Sequence, residues 1–389
     1  MLRSIPYLTF SEEKSAEGDS GVIFHLPERT YQGYNFYSSR TVSTAFLLDM
    51  AGKIRHRWNF PPALKARANA KYAFLLSNGD IMVIRPGREL IRLDWDSQVL
   101  WKKRIPAHHD VAQAPDGTFY VLFTEKEKYR DLRVNFCGIA HMTSEGEDID
   151  RWVSFEHLAE IQDALDTRSF LDGILDSIEA GWTPEGHELD EIEAATEPGR
   201  YHYDYFHMNT VDILAPSDIE EIDPRFQRGN LLVCFRNVNQ IAVLEKDTYR
   251  ILWAWGEGEL EWPHHPTLLE NGHILIFDNG VKRQHSRIVE LDPVSEKIVW
   301  EYAPGSPEEF YSYGRGSAQR LPNGNTLICE SDRGRAFEVD QAGETVWVWR
   351  NPTREWARPE GVYRMIRYPA DLVEKLLHRT EHQVPAAPE

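Results

Sequence analysis

The amino-acid sequence predicts an all-β fold, a six-bladed β-propeller of four-stranded antiparallel blades with a short acidic helical insertion. Three observations carry that expectation. The first is a recurring unit in which an x-N-G or x-D-G turn precedes an apolar strand. It reads HHDVAQAPDGTFYVLF from His108, HHPTLLENGHILIFDNG from His264 and GSAQRLPNGNTLICES from Gly316. The second is the spacing of the tryptophans that close these units. Trp58, Trp101, Trp152, Trp253, Trp300 and Trp347 lie 43, 51, 101, 47 and 47 residues apart. The long interval holds an acidic insertion; without it the chain contains six units of about 45 residues, a period typical of circular or stacked arrays. The third is the content of one unit. HPTLLEN, HILIFDN, SRIVELD and KIVWEYA are four apolar or alternating runs separated by Gly, Asn, Asp and Pro turns.

Four strands per unit make a small antiparallel sheet, and six sheets set radially leave only short, protected edges. A β-solenoid or two sandwiches are the competing arrangements. Residues 1–32 are expected to precede the ring, 33–369 to form it, and 370–389 to be a tail with a short helix. Within the ring, Gly361–Tyr368 is the candidate strand that closes it against the first unit near Gly33–Asp49. Residues 153–200 break the pattern. Leu158, Ile161 and Leu165, then Phe170, Ile174 and Ile178, recur at helical spacing, which predicts one or two amphipathic helices. An acidic loop, Thr183–Arg200, follows. The insertion either caps a channel mouth or decorates the surface.

Composition narrows the possible partners. The chain has 389 residues and a formal net charge of −19, which argues against nucleic-acid backbones and anionic membranes. No apolar run approaches the roughly 20 residues that span a bilayer. Much of the acid lies between Glu145 and Glu197, so an anionic small substrate is still compatible with the rest. Cys137, Cys234 and Cys329 are too few and scattered for a disulfide framework or a cysteine metal site, and the last two sit in apolar strands. The N-terminus shows no leader pattern, so the expected location is cytoplasmic, or exported if the chain has been trimmed. Oligomeric state is not legible.

Alignment of the units on their turns locates the candidate site. His109 lies eight residues before Gly117 and His264 eight before Gly272. His207 opens its unit similarly, its turn pushed back to Arg228-Gly229-Asn230; in the sixth unit the register falls on Gly316. Three imidazoles at one register of a ring should converge at one channel mouth. Clustered histidines suit metal ligation or nucleophilic and acid–base work. Arg236, in the otherwise apolar LLVCFRNVNQIAVL, favours the second, because a guanidinium repels a cation and grips an oxyanion. Its bland alternative is pairing with a carboxylate such as Asp212. Asn209 and Asn239 add neutral polar groups. Tyr203, Tyr205, Phe206, Tyr311 and Tyr313 are aromatic candidates for the channel or for blade packing. No cofactor is called for.

At these residues the chain resembles the PAPS-independent arylsulfotransferases. The matching segments, from His108 to Trp349, are HHDVAQAPDGTFYVL, DYFHMNTVDIL, GNLLVCFRNVNQIAVL, HHPTLLENGHILIFDNG with SRIVELD, and GSAQRLPNGNTLICESDRGRAFEV. The resemblance implies a six-bladed propeller in which a histidine takes a sulfuryl group from an aryl sulfate and passes it to a phenol. It implies His264 as nucleophile, with His265 the fallback in the doublet. His207 and His109 would handle protons and sulfate oxygens, and Arg236 and Asn209 would hold the sulfate. His108, Asn239, Tyr205, Tyr313 and Ser317 complete the expected binding set. The acidic insertion departs from the family pattern, as do the missing leader and the missing N-terminal β-domain. A non-catalytic propeller binding an anion or a protein, and a histidine-ligated metalloenzyme, stay open as alternatives. DWDSQVLW also evokes quinoprotein propellers, but no metal-binding acid set accompanies it.

Overall fold

Six antiparallel sheets follow one another around a common axis in the computed structural model, which describes residues 20–39, 41–62, 72–130, 132–179, 203–304, 306, 308–355 and 358–381. Blade I holds Gly33–Ser39, Thr44–Leu48 and Ile54–Asn59; blade II holds Tyr72–Leu75, Ile81–Arg85, Glu89–Leu93 and Val99–Arg104. Blade III is Ala107–Gln113, Phe119–Tyr129, Leu132–Met142 and Asp148–Val153. Blade IV is Met208–Ile213, Leu231–Phe235, Gln240–Leu244 and Ile251–Trp255. Blade V is His264–Leu268, Ile274–Asp278, Arg287–Asp292 and Lys297–Tyr302, and blade VI is Ser317–Arg320, Thr326–Glu330, Arg335–Val339 and Thr345–Arg350.

In every blade but III at least one of the two middle strands is buried end to end. Each must therefore be apolar on both faces, as LLVCF and ILIFD are, because blades pack face to face on their neighbours. The fourth strands are the outer ones and carry mostly exposed and half-buried residues in blades I, II and V. All six period-setting tryptophans lie on these fourth strands. Three of their indoles link neighbouring blades. Trp101 donates to the carbonyl of Ser144, Trp300 to Gln341 and Trp347 to Met50, each in a turn of the next blade, at 2.9, 3.3 and 3.1 Å. An indole has one donor and a large apolar body, so it can pack on one sheet and tie to another.

The ring is sealed twice. Met365–Pro369 pairs with Gly33–Ser39 as the innermost strand of blade I, where the sequence places the closing strand. Gly21–His25 adds a fifth strand to the outer edge of blade VI; the sequence shows no sign of this pairing. Arg367, fully buried, pins the seam. It bonds Glu338 of blade VI, Asn35 Oδ1 of blade I at 2.9 Å and the Tyr31 carbonyl at 3.0 Å, and lies over Trp347. Gln319 of blade VI clasps the same residue's backbone from both sides, at 2.8 and 3.0 Å. Helix α3 (Ala370–Glu381) then folds back so that Val373 and Leu376 are buried.

The insertion between blades III and IV forms α1 (Leu158–Ala164) and α2 (Arg168–Glu179). Its expected continuation, Thr183–Arg200, lies outside the described residues. Ile161, Leu165 and Leu171 are buried against Tyr205, Phe206 and Val238. The inward face of α2 thus carries Leu171; Phe170, expected there, is 39% exposed and stacks on Tyr205 from the side. Gln240 donates to the Leu165 carbonyl at 2.7 Å, so the helices are fastened to the rim of blade IV rather than attached loosely. The three cysteines are free and buried. Among the described residues no helix is long and apolar enough to cross a membrane.

Removing one partner of the Arg367–Glu338 pair strands a buried charge. Arg367→Ala is expected to lower unfolding free energy by about 3–5 kcal/mol, read from the urea midpoint. A loss within the scatter of surface substitutions would show that the seam does not depend on this pair.

Candidate functional site

One end of the ring collects the polar side chains, and the hairpin geometry explains why. In an antiparallel pair the start of the innermost strand lies beside the end of the second strand. The histidines come from the first of these places. Arg236 follows Phe235 at the end of blade IV's second strand, Asn279 follows Asp278 in blade V, and Asp332 follows Glu330 and Ser331 in blade VI.

The backbone is unusual at this rim. His109, His207 and His265 have φ of 54°, 48° and 49°. Left-handed backbone is uncommon for residues other than glycine, although histidine tolerates it better than most. Each costs of order 1–3 kcal/mol and persists only where its surroundings enforce it. The enforcement is visible in the pairing. The innermost strand slips register against its neighbour in blades III, IV and V close to these residues. Such bulges re-aim side chains. By backbone conformation His109 therefore corresponds to His265, not to His264 as counting back from the turns implies, because the bulges differ in length.

The structure divides the doublet. His264, 3% exposed, has its Nδ1 2.7 Å from Asn279 Oδ1 and 3.0 Å from the Trp262 carbonyl. Burial, aided by the charge of Arg236, pushes its imidazole down to about 3. His265 turns to the Ala318 carbonyl at 3.0 Å and takes its Coulombic influence from Arg364. His264 therefore shares its surroundings with Arg236, and His265 faces a different cation.

His109 and His207 stand together, ring centroids 4.6 Å apart, with His108 5.0 Å from His109. Burial holds His109 well below the usual imidazole range, and His207, His108, Arg236 and His264 add to it. His207 Nδ1 bonds the carboxyl of Asp204. Burial moves both partners toward neutrality, Asp204 up and His207 down; Arg236 opposes burial at the carboxyl and reinforces it at the imidazole. His207 Nε2 and His109 Nδ1 are buried with no hydrogen-bond partner among the described residues.

Arg236, 7% exposed, lies 4.5 Å over the Trp262 ring, and its Nε donates to Asn237 Oδ1 at 3.0 Å. The nearby carboxyl that feels its charge is Asp204. Asp212 instead belongs with Asp110, whose two oxygens are 3.0 and 3.1 Å from Arg364. Among the described residues no three His, Cys, Asp or Glu side chains are set to hold a metal ion.

Other expected residues do related work one step away. Asn209 is fully buried; it donates to the Pro263 carbonyl at 2.9 Å and so ties blade IV to the residue before the doublet. Asn239 accepts the backbone N–H of Trp262 at 2.8 Å. Tyr205 points its hydroxyl to Gln162 and Thr167 of the insertion and packs in the core with Tyr203 and Phe206. These side chains are committed to the scaffold because burial demands partners for their polar atoms. Tyr313 lies edge-on to Trp262 at 5.4 Å, with Tyr311 behind it. Ser317 keeps a buried hydroxyl that finds no partner among the described residues.

Sequence reasoning missed Asp204, Asn279, Trp262, Tyr72 and Tyr363. Tyr72 and Tyr363 face His109 in near-parallel planes at 5.7 and 6.2 Å. Asp204 was accessible in principle, three residues before His207; the others come from blades or loops distant in sequence.

Comparison with known proteins adds a family and a fold. The family model described as Arylsulfotransferase (ASST) matches residues 73–352. No curated protein matches the chain. A crystal structure of a protein of unknown function from Bacteroides caccae superposes with TM-score 0.53 at 14% identity, covering 87% of this chain and 99% of that one. A catalytically inactive virginiamycin B lyase from Staphylococcus aureus, crystallised with quinupristin, gives 0.46 at 11% identity over 87% of this chain and 90% of that one. At 14% identity the first of these likenesses concerns fold alone.

With its folded-state pKa pushed down to about 3, the His264 ring should stay neutral from pH 8 to pH 5. Ring-labelled histidine NMR checks this; a midpoint near 6.5, the ordinary imidazole value, would contradict the electrostatics described.

Proposed function

The chain belongs to the arylsulfotransferase family, and from that premise we propose that it moves a sulfuryl group from an aryl sulfate to a phenol, without a nucleotide donor, through an intermediate on His264. The observation that supports this most is the pairing of a buried, neutral imidazole with a buried guanidinium. Burial, reinforced by the charge of Arg236, keeps the His264 ring unprotonated, and that same charge attracts the sulfate.

In the first half-reaction the Nε2 lone pair of His264 attacks sulfur. The N–S bond forms, the S–O bond to the aryl group breaks, and its electron pair leaves on the aryl oxygen. That oxygen takes the proton of His207 Nε2, while the Asp204 carboxyl, pushed up by burial, hands its own proton to Nδ1. In the second half-reaction an acceptor phenol returns a proton to His207 Nε2 as its oxygen attacks sulfur, the Nδ1 proton goes back to Asp204, and the N–S electrons return to Nε2 of His264. Such transfers ask a protein mainly for positioning and for charge stabilisation on the equatorial oxygens. Arg236 supplies the charge, and its stacking on Trp262 holds the fork in place. His109 contributes a second imidazole to the same group. Dividing the transfer between two displacements on one nitrogen lets donor and acceptor use one site in turn.

Two measurements test this. Mixing with an aryl sulfate in the absence of acceptor should raise the intact mass by one SO₃. His264→Ala should abolish both the adduct and turnover, a loss of about 10³-fold or more. An unchanged mass across several aryl sulfates would remove the covalent step. Asp204→Asn should slow transfer by about 10²-fold for donors whose phenols are poor leaving groups, and much less for nitrophenyl sulfates, whose oxygen leaves without a proton. Equal losses for both donor types would assign Asp204 to something other than proton transfer.

A further inference from the structure

We propose that Asn279 is a positioning residue that fixes the proton of His264 on Nδ1 and leaves Nε2 as the only nitrogen with a lone pair. The kinetic consequence rests on the sulfuryl-transfer reading; the tautomer itself does not.

The orientation of the Asn279 amide follows from its neighbours. Its nitrogen lies 2.6 Å from the Ser312 carbonyl and 2.9 Å from the Arg315 carbonyl. Carbonyl oxygens only accept. The opposite orientation would set Oδ1 against two acceptors and give up both bonds. The NH2 group therefore faces the carbonyls, and Oδ1 faces His264 at 2.7 Å. Trp262 presents a second acceptor to the same Nδ1 at 3.0 Å. Two acceptors on one ring nitrogen require that nitrogen to carry the hydrogen, and a neutral imidazole has only one. Asn279 is itself fully buried, and its own carbonyl accepts from Ser286, whose hydroxyl receives the Ser312 N–H. Movement of the amide would break that local network.

The choice of an amide also separates the work of two imidazoles. His207 has a carboxyl on Nδ1; His264 has a neutral oxygen. A carboxyl can exchange a proton with its imidazole, whereas an amide only orients the ring. The neutral partner thus suits the residue that must attack with an unprotonated nitrogen, and the acidic one suits the residue that must carry a proton.

The test uses the full-length protein with ring-¹⁵N histidine. In the wild type the His264 spectrum should show Nδ1 protonated and Nε2 bare at pH 7. The reverse pattern overturns the proposal without any variant being made. In Asn279→Ser, whose hydroxyl is too short to reach the ring, a mixture of the two tautomers should appear. Retention of the pure wild-type pattern would assign the tautomer to the Trp262 carbonyl alone and overturn the role of Asn279. With an aryl sulfate donor the same variant should lose about 10²- to 10⁴-fold in kcat, the scale of a wrong-tautomer defect, while KM changes by less than about threefold. A loss confined to KM would also count against it. If the wild type transfers nothing from any aryl sulfate, the functional reading fails, and the ¹⁵N result still decides the tautomer.

Discussion

Closure of the ring is the constraint on which the rest of this structure depends. Six blades aim their innermost strands at one axis only if the last blade meets the first, and here the meeting is made by a strand from the far end of the chain. Met365–Pro369 completes blade I from inside, with Arg367 bonded across to blade VI. The residues just before that strand are Tyr363 and Arg364, which reach Tyr72, His109 and Asp110. The seam and the wall of the channel are therefore one continuous segment. A protein that failed to close would lose that wall together with the convergence of the histidines.

Burial has opposite consequences for the two kinds of charged group near the axis. Guanidinium groups stay charged whatever their surroundings, so each is accompanied by carboxyls: Arg364 by Asp110, Arg315 by Asp332, and Arg236 within the influence of Asp204. Imidazoles can escape the cost by losing their proton, and His109, His207, His264 and His265 are all depressed, with burial the largest cause at each. The result is a set of neutral bases around fixed positive charges. That is a hostile setting for a metal cation and a favourable one for an anion with oxygens to share.

Much of the architecture was legible in the sequence because it depends on periods. The tryptophans recur at one place on the fourth strands, three of them tied to the next blade, and the turn glycines recur in left-handed turns between strands, as at Gly117, Gly272 and Gly324. Histidines at one register were legible for the same reason. What escaped depends on relations between blades. Asn279 matters because Ser312 and Arg315, from the loop entering blade VI, orient it. Trp262 matters because Arg236 of the preceding blade lies over it. Gly21–His25 carries no turn signal or tryptophan of its own, so its place on blade VI could not be counted. The equivalence of His109 with His265 was hidden by bulges, which add residues without moving the turns from which one counts.

The departures from regular geometry at the rim belong to one design. A regular innermost strand would point successive side chains to alternate faces of the blade, toward the neighbouring blades and away from the axis. The register slips beside His109, His207 and His265 break that alternation, and left-handed backbone at the same residues completes the change of direction. The neighbouring contacts then absorb the strain: the Thr210 hydroxyl accepts the His265 N–H at 3.0 Å, and the His207 carbonyl accepts the Arg236 N–H at 3.3 Å. Arg236 is thus positioned by the strained residue it accompanies. The backbone that re-aims His207 also delivers the guanidinium, so a substitution that relaxes one displaces the other.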